Sequence, residues 1–224
     1  MSADSHKPAR RSRRPRGSLT PDVVLAAAEA VAEQGDPLSM RAVAARLGAV
    51  PMALYNHFAT KEQLVDALLD RVLSRFEAEP ATDDWAEDLR RFAQAHRRVL
   101  AEHPWAVAPL FVQPNPGLSA VRIGEIALGI LRRGGLSDAR AVAAFTGIIA
   151  LNYGWSSFTS ARDLDPAARG RDVAADLARL PRALFPLTVD VAAELGSYGS
   201  DRHYDFVLDQ LLSGLRATAA PPEA

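Results

Sequence analysis

The twenty residues from Ser39 to Phe58, Ser-Met-Arg-Ala-Val-Ala-Ala-Arg-Leu-Gly-Ala-Val-Pro-Met-Ala-Leu-Tyr-Asn-His-Phe, leave the backbone few options. Ser39 suits the cap of a short helix whose Val43, Ala44 and Leu47 share one face, and Gly48 supplies the left-handed residue that stops it. Pro51 suits a first helical position and pushes Val50 before it to extended geometry. Two short helices around a glycine turn make a helix-turn-helix. In such a motif the second helix enters the DNA major groove by its N-terminal part, which makes Pro51, Met52, Ala53, Tyr55, Asn56 and His57 candidate contacts. Leu54 and Phe58, four apart, face inward and hold the helix. An ordinary hairpin in an all-helical protein carries the same short pattern.

The flanks support a small three-helix unit. Thr20-Pro21-Asp22 combines an N-cap, a first-position proline and a dipole-favoured acid, opening a helix to about Gln34 with Val24, Leu25, Ala28 and Val31 as its stripe. Gly35 ends it. Leu25, Ala28, Val43, Leu47, Leu54 and Phe58 are the expected centre of the core. Thr60-Lys-Glu-Gln63 forms a capping box, after which Leu64, Leu68, Leu69, Val72, Leu73 and Phe76 recur at helical spacing to about Glu77. A helix of that length can join this unit to the rest of the chain, so tilting it would move the second helix of the motif.

A formal net charge of −1 hides an asymmetry. Residues 1–16 carry Lys7, Arg10, Arg11, Arg13, Arg14 and Arg16 against Asp4 alone, whereas acids outnumber bases from Gly17 to Glu77. Phosphate attraction supplies much of nucleic-acid affinity, so Arg10, Arg11, Arg13 and Arg14 are candidate DNA contacts. Residues 1–17, with Pro8, Pro15 and Gly17, are expected to form a disordered basic arm able to lie in a narrow minor groove; a solvated tail without function is the rival reading.

The whole chain, 224 residues with 48% apolar and 24% charged content, suffices for one small and one larger domain. It has no cysteine, which removes disulfides and thiolate metal sites. The N-terminus lacks the apolar region of a signal peptide, and no apolar run approaches the roughly 20 residues of a membrane span, so a cytoplasmic protein without membrane contact is expected. Walker, G-x-S-x-G and H-E-x-x-H patterns are absent, and the five histidines show no catalytic spacing. No cofactor and no enzymatic activity are expected.

Glu79-Pro80-Ala-Thr-Asp-Asp84 breaks the helical pattern, giving a DNA-binding domain with its connecting helix over 18–77 and a second helical domain over 84–218. The second domain predicts helices near 84–102, 104–111, 117–133, 137–161 and 201–218, with short pieces at 170–179 and 188–195. The run Phe145 to Phe158 is apolar on nearly every side, as in a helix buried by several neighbours. A small-molecule pocket needs apolar walls and a few placed polar groups. Trp105, Phe111, Phe145, Trp155 and Phe158 are candidate walls, with His96, Asn152, Ser156 and Thr159 as polar handles; each also has an ordinary place in a core.

Gly48, Ala53-Leu-Tyr-Asn-His-Phe58 and Lys61-Glu62 together resemble the TetR family of transcriptional repressors, whose recognition helix ends in Leu-Tyr-x-His-Phe followed by Lys. The likeness is close over about 18–75. It continues loosely through Gly134-Gly135-Leu-Ser and Tyr204 to Leu215, similar to the tetracycline-repressor type of ligand-binding domain. The resemblance implies an all-α fold and a homodimer that releases a palindromic operator in double-stranded DNA when a small-molecule effector binds. It also implies DNA contacts at Arg41 and Lys61, and a four-helix dimer bundle from 137–161 and 201–218, with Leu208, Leu211, Leu212 and Leu215 needing cover. Where the tetracycline repressor has a magnesium-binding histidine and an assisting glutamate, alignment on His103 and Gly154 puts Leu110 and Phe158, which cannot ligate a metal. Magnesium-tetracycline is therefore not the expected effector, and an apolar or aromatic molecule is. An all-helical enzyme, which needs paired titratable groups in a cleft, and a ligand-independent helical DNA binder, favoured by a filled core around Trp155 and opposed by a cavity there, remain the rivals.

Overall fold

Side-chain caps and glycine stops decide where the N-terminal helices begin and end. The computed structural model describes residues 19–112, 117–164 and 171–219, with side chains through residue 159 in the second stretch. Thr20 Oγ1 accepts the Val23 N–H at the start of α1 (Pro21–Glu33), and Ser39 Oγ accepts the Ala42 N–H at 3.1 Å to open α2 (Met40–Leu47). Gly48 stops α2 at φ 64°, ψ 27°, while the Ala49 N–H reaches back to Ala44 O at 2.9 Å. That crossing bond needs a left-handed residue, so a β-carbon here would strain the turn. Val50 is extended at φ −89°, ψ 145°, and α3 (Pro51–Tyr55) follows. The helix is shorter than expected, yet Phe58 still turns inward because its N–H bonds Leu54 O at 3.0 Å.

The core of this unit is formed by Val24, Ala28, Val43, Ala44 and Leu54, with Leu64 and Leu68 from α4 (Lys61–Leu73). Leu25 and Leu47, expected at its centre, are only half-buried. The inward row of α1 runs through Val24, Ala27, Ala28 and Val31, and Leu25 sits a quarter turn away from it. Leu54 is fully buried, so truncation to alanine costs about 2–5 kcal/mol. At the start of α4, Thr60 Oγ1 accepts the Gln63 N–H at 3.2 Å, and Gln63 Oε1 accepts the Ala59 N–H at 2.9 Å. The box closes one residue earlier than its usual form.

The chain divides into two compact units at Leu68/Leu69, inside α4, ahead of the pattern break at 79–84. Leu69, Val72, Leu73 and Phe76 are buried, and the Phe76 ring meets Phe92 edge-on at 5.3 Å. This packing assigns the second half of α4 to the larger unit.

In the larger unit α5 (Trp85–Glu102), capped by Asp84, is the central helix. A 3₁₀ turn (Pro104–Ala106) and α6 (Val107–Val112) replace the single helix expected there. Then come α7 (Leu118–Arg133), α8 (Asp138–Leu164), α9 (Val173–Ala178), α10 (Pro186–Asp190), α11 (Ala192–Gly196) and α12 (Asp201–Thr218). All regular elements among the described residues are helical, and α5 packs against α7, α8 and α12. Asp88 ties α5 to α7 and to the preceding turn: its carboxylate accepts from Thr82, from Arg91 at 2.6 Å and from Arg133 at 2.5 Å. Burial pushes that carboxyl up, but bonds from Arg133, Thr82 and Arg91 outweigh it and hold the group at about 2.

Helix α8 corrects the expectation of burial on nearly every side. Ala141, Ala144, Ile148, Asn152 and Ser156 form its buried row, while Val142 is 52% and Phe158 44% exposed.

Candidate functional site

Two places collect the expected functional side chains, one in each unit. In the N-terminal unit, Pro51, Met52, Tyr55 and Asn56 on and after α3, Arg41 on α2 and Lys61 on α4 are exposed, while Ala53 and His57 are half-buried. Met52 is 71% exposed although it is apolar and lies beside the fully buried Leu54. The glycine stop and the Pro51 start hold α3 on α2, so Leu54 anchors inward and the neighbouring side chains are left to water. Arg10, Arg11, Arg13 and Arg14 lie outside the described residues.

In the larger unit a cavity of about 380 Å³ lies among five helices. Helix α8 lines it with Phe145, Thr146, Ile149, Ala150 and Tyr153; α6 adds Leu110 and Phe111; α7 adds Ala120 and Ile123; α5 adds His96 and α4 adds Leu73. Phe111 and Tyr153 meet at 5.4 Å between ring centres, and His96 lies 5.9 Å from Tyr153. Of the expected pocket residues, His96, Phe111 and Phe145 line this cavity.

Trp105, Asn152, Trp155, Ser156, Phe158 and Thr159 do not. Asn152 is buried, its amide donating to Ala93 O at 2.9 Å and to His96 Nδ1 at 3.0 Å, while its oxygen accepts from Tyr204 at 2.7 Å. Trp155 is half-buried, packs edge-on against Tyr204 at 5.7 Å and donates its indole N–H to Gly199 O. Phe158 meets Tyr198, Thr159 bonds its own helix backbone, and Ser156 is buried in the α8 row. Trp105 is half-buried, with its indole nitrogen unpartnered among the described residues. The expected face of α8 was the row of Asn152; the lining face lies about a quarter turn away. Phe145, Ile149 and Tyr153 at i, i+4 and i+8 were the readable signal, but they look like any apolar row until α6 and α7 are in place.

The polar groups of the wall are neutral. Burial pushes His96 down to about 4, so it is uncharged at pH 7. Nδ1 receives the Asn152 amide proton, which leaves the ring proton on Nε2. Burial pushes the Tyr153 phenol up, keeping it protonated. Thr146 Oγ1 donates to Val142 O at 2.8 Å. A hard cation such as magnesium requires several oxygen ligands, usually including carboxylates. Among the described residues the wall offers no acid, and Leu110 lines it where the resemblance would place the histidine ligand. The wall therefore does not fit a magnesium complex.

Comparison with known proteins joins the two sites. Residues 77–219 match the tetracyclin repressor-like C-terminal domain, and residues 23–68 match the bacterial regulatory proteins of the tetR family. The chain belongs to the TetR family. An HTH-type transcriptional regulator of Saccharopolyspora erythraea is 31% identical over 90% of this chain and 86% of its own length. The transcriptional repressor DrrR1 of Streptomyces coeruleorubidus is 31% identical over 94% of this chain and 82% of its own. Among solved structures, the TetR family protein ActR of Streptomyces coelicolor in complex with actinorhodin superposes with a TM-score of 0.81 at 26% identity, covering 92% of this chain and all of that one. The TetR assignment makes the helix-turn-helix a DNA-binding element and the chain a transcriptional regulator. No described helix is long and apolar enough to cross a membrane.

Proposed function

We propose that this protein is a homodimeric repressor that leaves its operator when a small molecule occupies the cavity beneath α8. The observation that carries the reading is the apolar cavity itself, lined from five helices and open on one side, in the unit that the DNA-binding motif does not use. The ActR complex with actinorhodin supports a small-molecule effector. Acting on chromosomal DNA, the protein belongs in the cytoplasm, and the chemistry of a regulator requires no enzymatic step.

On the DNA side, Pro51, Met52, Ala53, Tyr55, Asn56 and His57 enter the major groove. Arg41 reads a base, Lys61 meets a phosphate, and the arm with Arg10, Arg11, Arg13 and Arg14 adds charge. A palindrome read by a two-fold dimer needs recognition helices about 34 Å apart or a multiple of that. The outer face of the larger unit supports the dimer: Phe206 is 64% and Val207 39% exposed on α12, and Val142 is exposed on α8. Leu208 and Leu212 need no partner, since both are buried within the chain. Gly147 and Gly214 have open space where a β-carbon would stand, room for a neighbouring backbone.

The route from cavity to DNA starts at α4. Leu73 of α4 and Ala120 and Ile123 of α7 share the cavity wall, and Asp70 accepts the Ser119 N–H at 2.7 Å, joining α4 to the first turn of α7. An effector that favours one arrangement of these helices shifts α4, which continues into the DNA-binding unit. Only such differential affinity can move the equilibrium. The experiment is selection of bound fragments from genomic DNA, followed by footprinting with and without candidate effectors. A recovered palindrome and effector-dependent release uphold the reading; binding unaffected by any effector supports a ligand-independent DNA binder instead.

A further inference from the structure

The cavity wall has a specific chemistry that narrows what enters it, given the reading of this cavity as the effector site. Among the described residues its lining holds no Asp, Glu, Lys or Arg. A charged group set against this wall would find no opposite charge there, and only the side open past exposed Phe111, Thr146 and Ala150 would keep it hydrated. Four of its eleven lining residues, Phe111, Phe145, Tyr153 and His96, are aromatic, and Phe111 and Tyr153 already meet edge-to-face. A flat ring system can extend that arrangement. At the liquid share of about 30 Å³ per water, the volume holds roughly a dozen non-hydrogen atoms or slightly more, two or three fused rings.

Polarity is supplied by His96, Thr146 and the Tyr153 hydroxyl. The Asn152 amide occupies His96 Nδ1, Tyr204 holds Asn152 from the far side, and the protonated Nε2 is the ring nitrogen turned away from Asn152. Thr146 has spent its hydroxyl proton on Val142 O. We infer that the effector is an uncharged, flat aromatic molecule with a carbonyl oxygen that accepts a hydrogen bond from His96 Nε2–H. Tyr204 and Asn152 are positioning residues: they fix the His96 tautomer so that it presents a donor, and an effector lacking an acceptor leaves that N–H unpaired.

Three probes of nearly one shape test this: 9-fluorenone, fluorene, which lacks the oxygen, and 9-fluorenone-2-carboxylate, which adds an anion. Binding to the full chain is read by quenching of intrinsic tryptophan fluorescence. The ketone is expected to bind at least tenfold more tightly than either of the others. In His96→Met the ketone-to-hydrocarbon ratio should fall toward one, and in His96→Gln, which keeps an N–H donor, it should recover. If these variants do not fold, the three-probe comparison on the wild-type protein decides alone. Ala120→Trp, which fills the cavity, separates the two ways of failing. Fluorene binding as tightly as the ketone, or the carboxylate binding more tightly, with all binding lost in Ala120→Trp, overturns the inference and leaves the cavity as the effector site. No binding of any probe, or binding indifferent to Ala120→Trp, overturns both.

Discussion

The exposed face of the helix-turn-helix and the cavity are built on opposite principles. The first comes from one continuous stretch, in which each buried residue such as Leu54 orders exposed neighbours such as Met52 and Tyr55. The second draws on five helices, and its key group, His96, is buried with its charge removed. A surface built locally can change its side chains with little effect on the fold. A cavity assembled from distant segments cannot, because each wall residue is also part of the core.

The largest expected difference between the two appears in acid. His96 has an ordinary value of 6.5 and is held at about 4 in the folded chain. The unfolded state therefore binds more protons between these values, and stability is full above pH 6.5 and falls as pH drops through the window to about 4. The loss amounts to about 3 kcal/mol. Asp88, held at about 2 instead of 3.8, withdraws its contribution only below that window. Acid unfolding followed by Trp85, Trp105 and Trp155, all in the larger unit, should show this dependence and lose it in His96→Gln; an unchanged slope in the variant would break the contrast.

Next in size is the separation of the two sites by substitution. Ala120→Trp should weaken effector response at least a hundredfold while operator affinity stays within twofold, as measured by operator release against effector concentration. Ser156→Phe should leave that response intact and instead cost roughly 1–3 kcal/mol of thermal stability, because Ser156 is packed outside the cavity. A response lost in Ser156→Phe would extend the site to the buried row of α8.

On the DNA side Tyr55→Ala should weaken operator binding about tenfold, a contribution of about 1.4 kcal/mol, without altering effector affinity. Gel-shift titration at matched salt checks it, and wild-type affinity would remove α3 from the groove. The smallest effect is expected between the regions. Asp70→Ala frees the first turn of α7 from α4 and should raise the effector concentration needed for release about threefold, with direct effector binding unchanged. Equal shifts in binding and release would make Asp70 a structural residue only.

What was legible in the sequence shared one property: the cause lay within a turn or two of the effect. Thr20, Ser39 and Thr60 cap the next N–H groups, Gly48 takes a left-handed turn, and Pro51 starts the helix after it, so the helix-turn-helix follows from neighbours in the chain. Even here, Ala27 takes the place in the α1 row expected of Leu25. The cavity was not legible in that way. Which face of α8 lines it depends on where α5, α6 and α7 rest, and Asn152, chosen for its polarity, proved to be satisfied by His96, Ala93 and Tyr204. A helical row of apolar residues says that a face is covered, whereas the tertiary packing alone decides whether the cover is a side chain or a space.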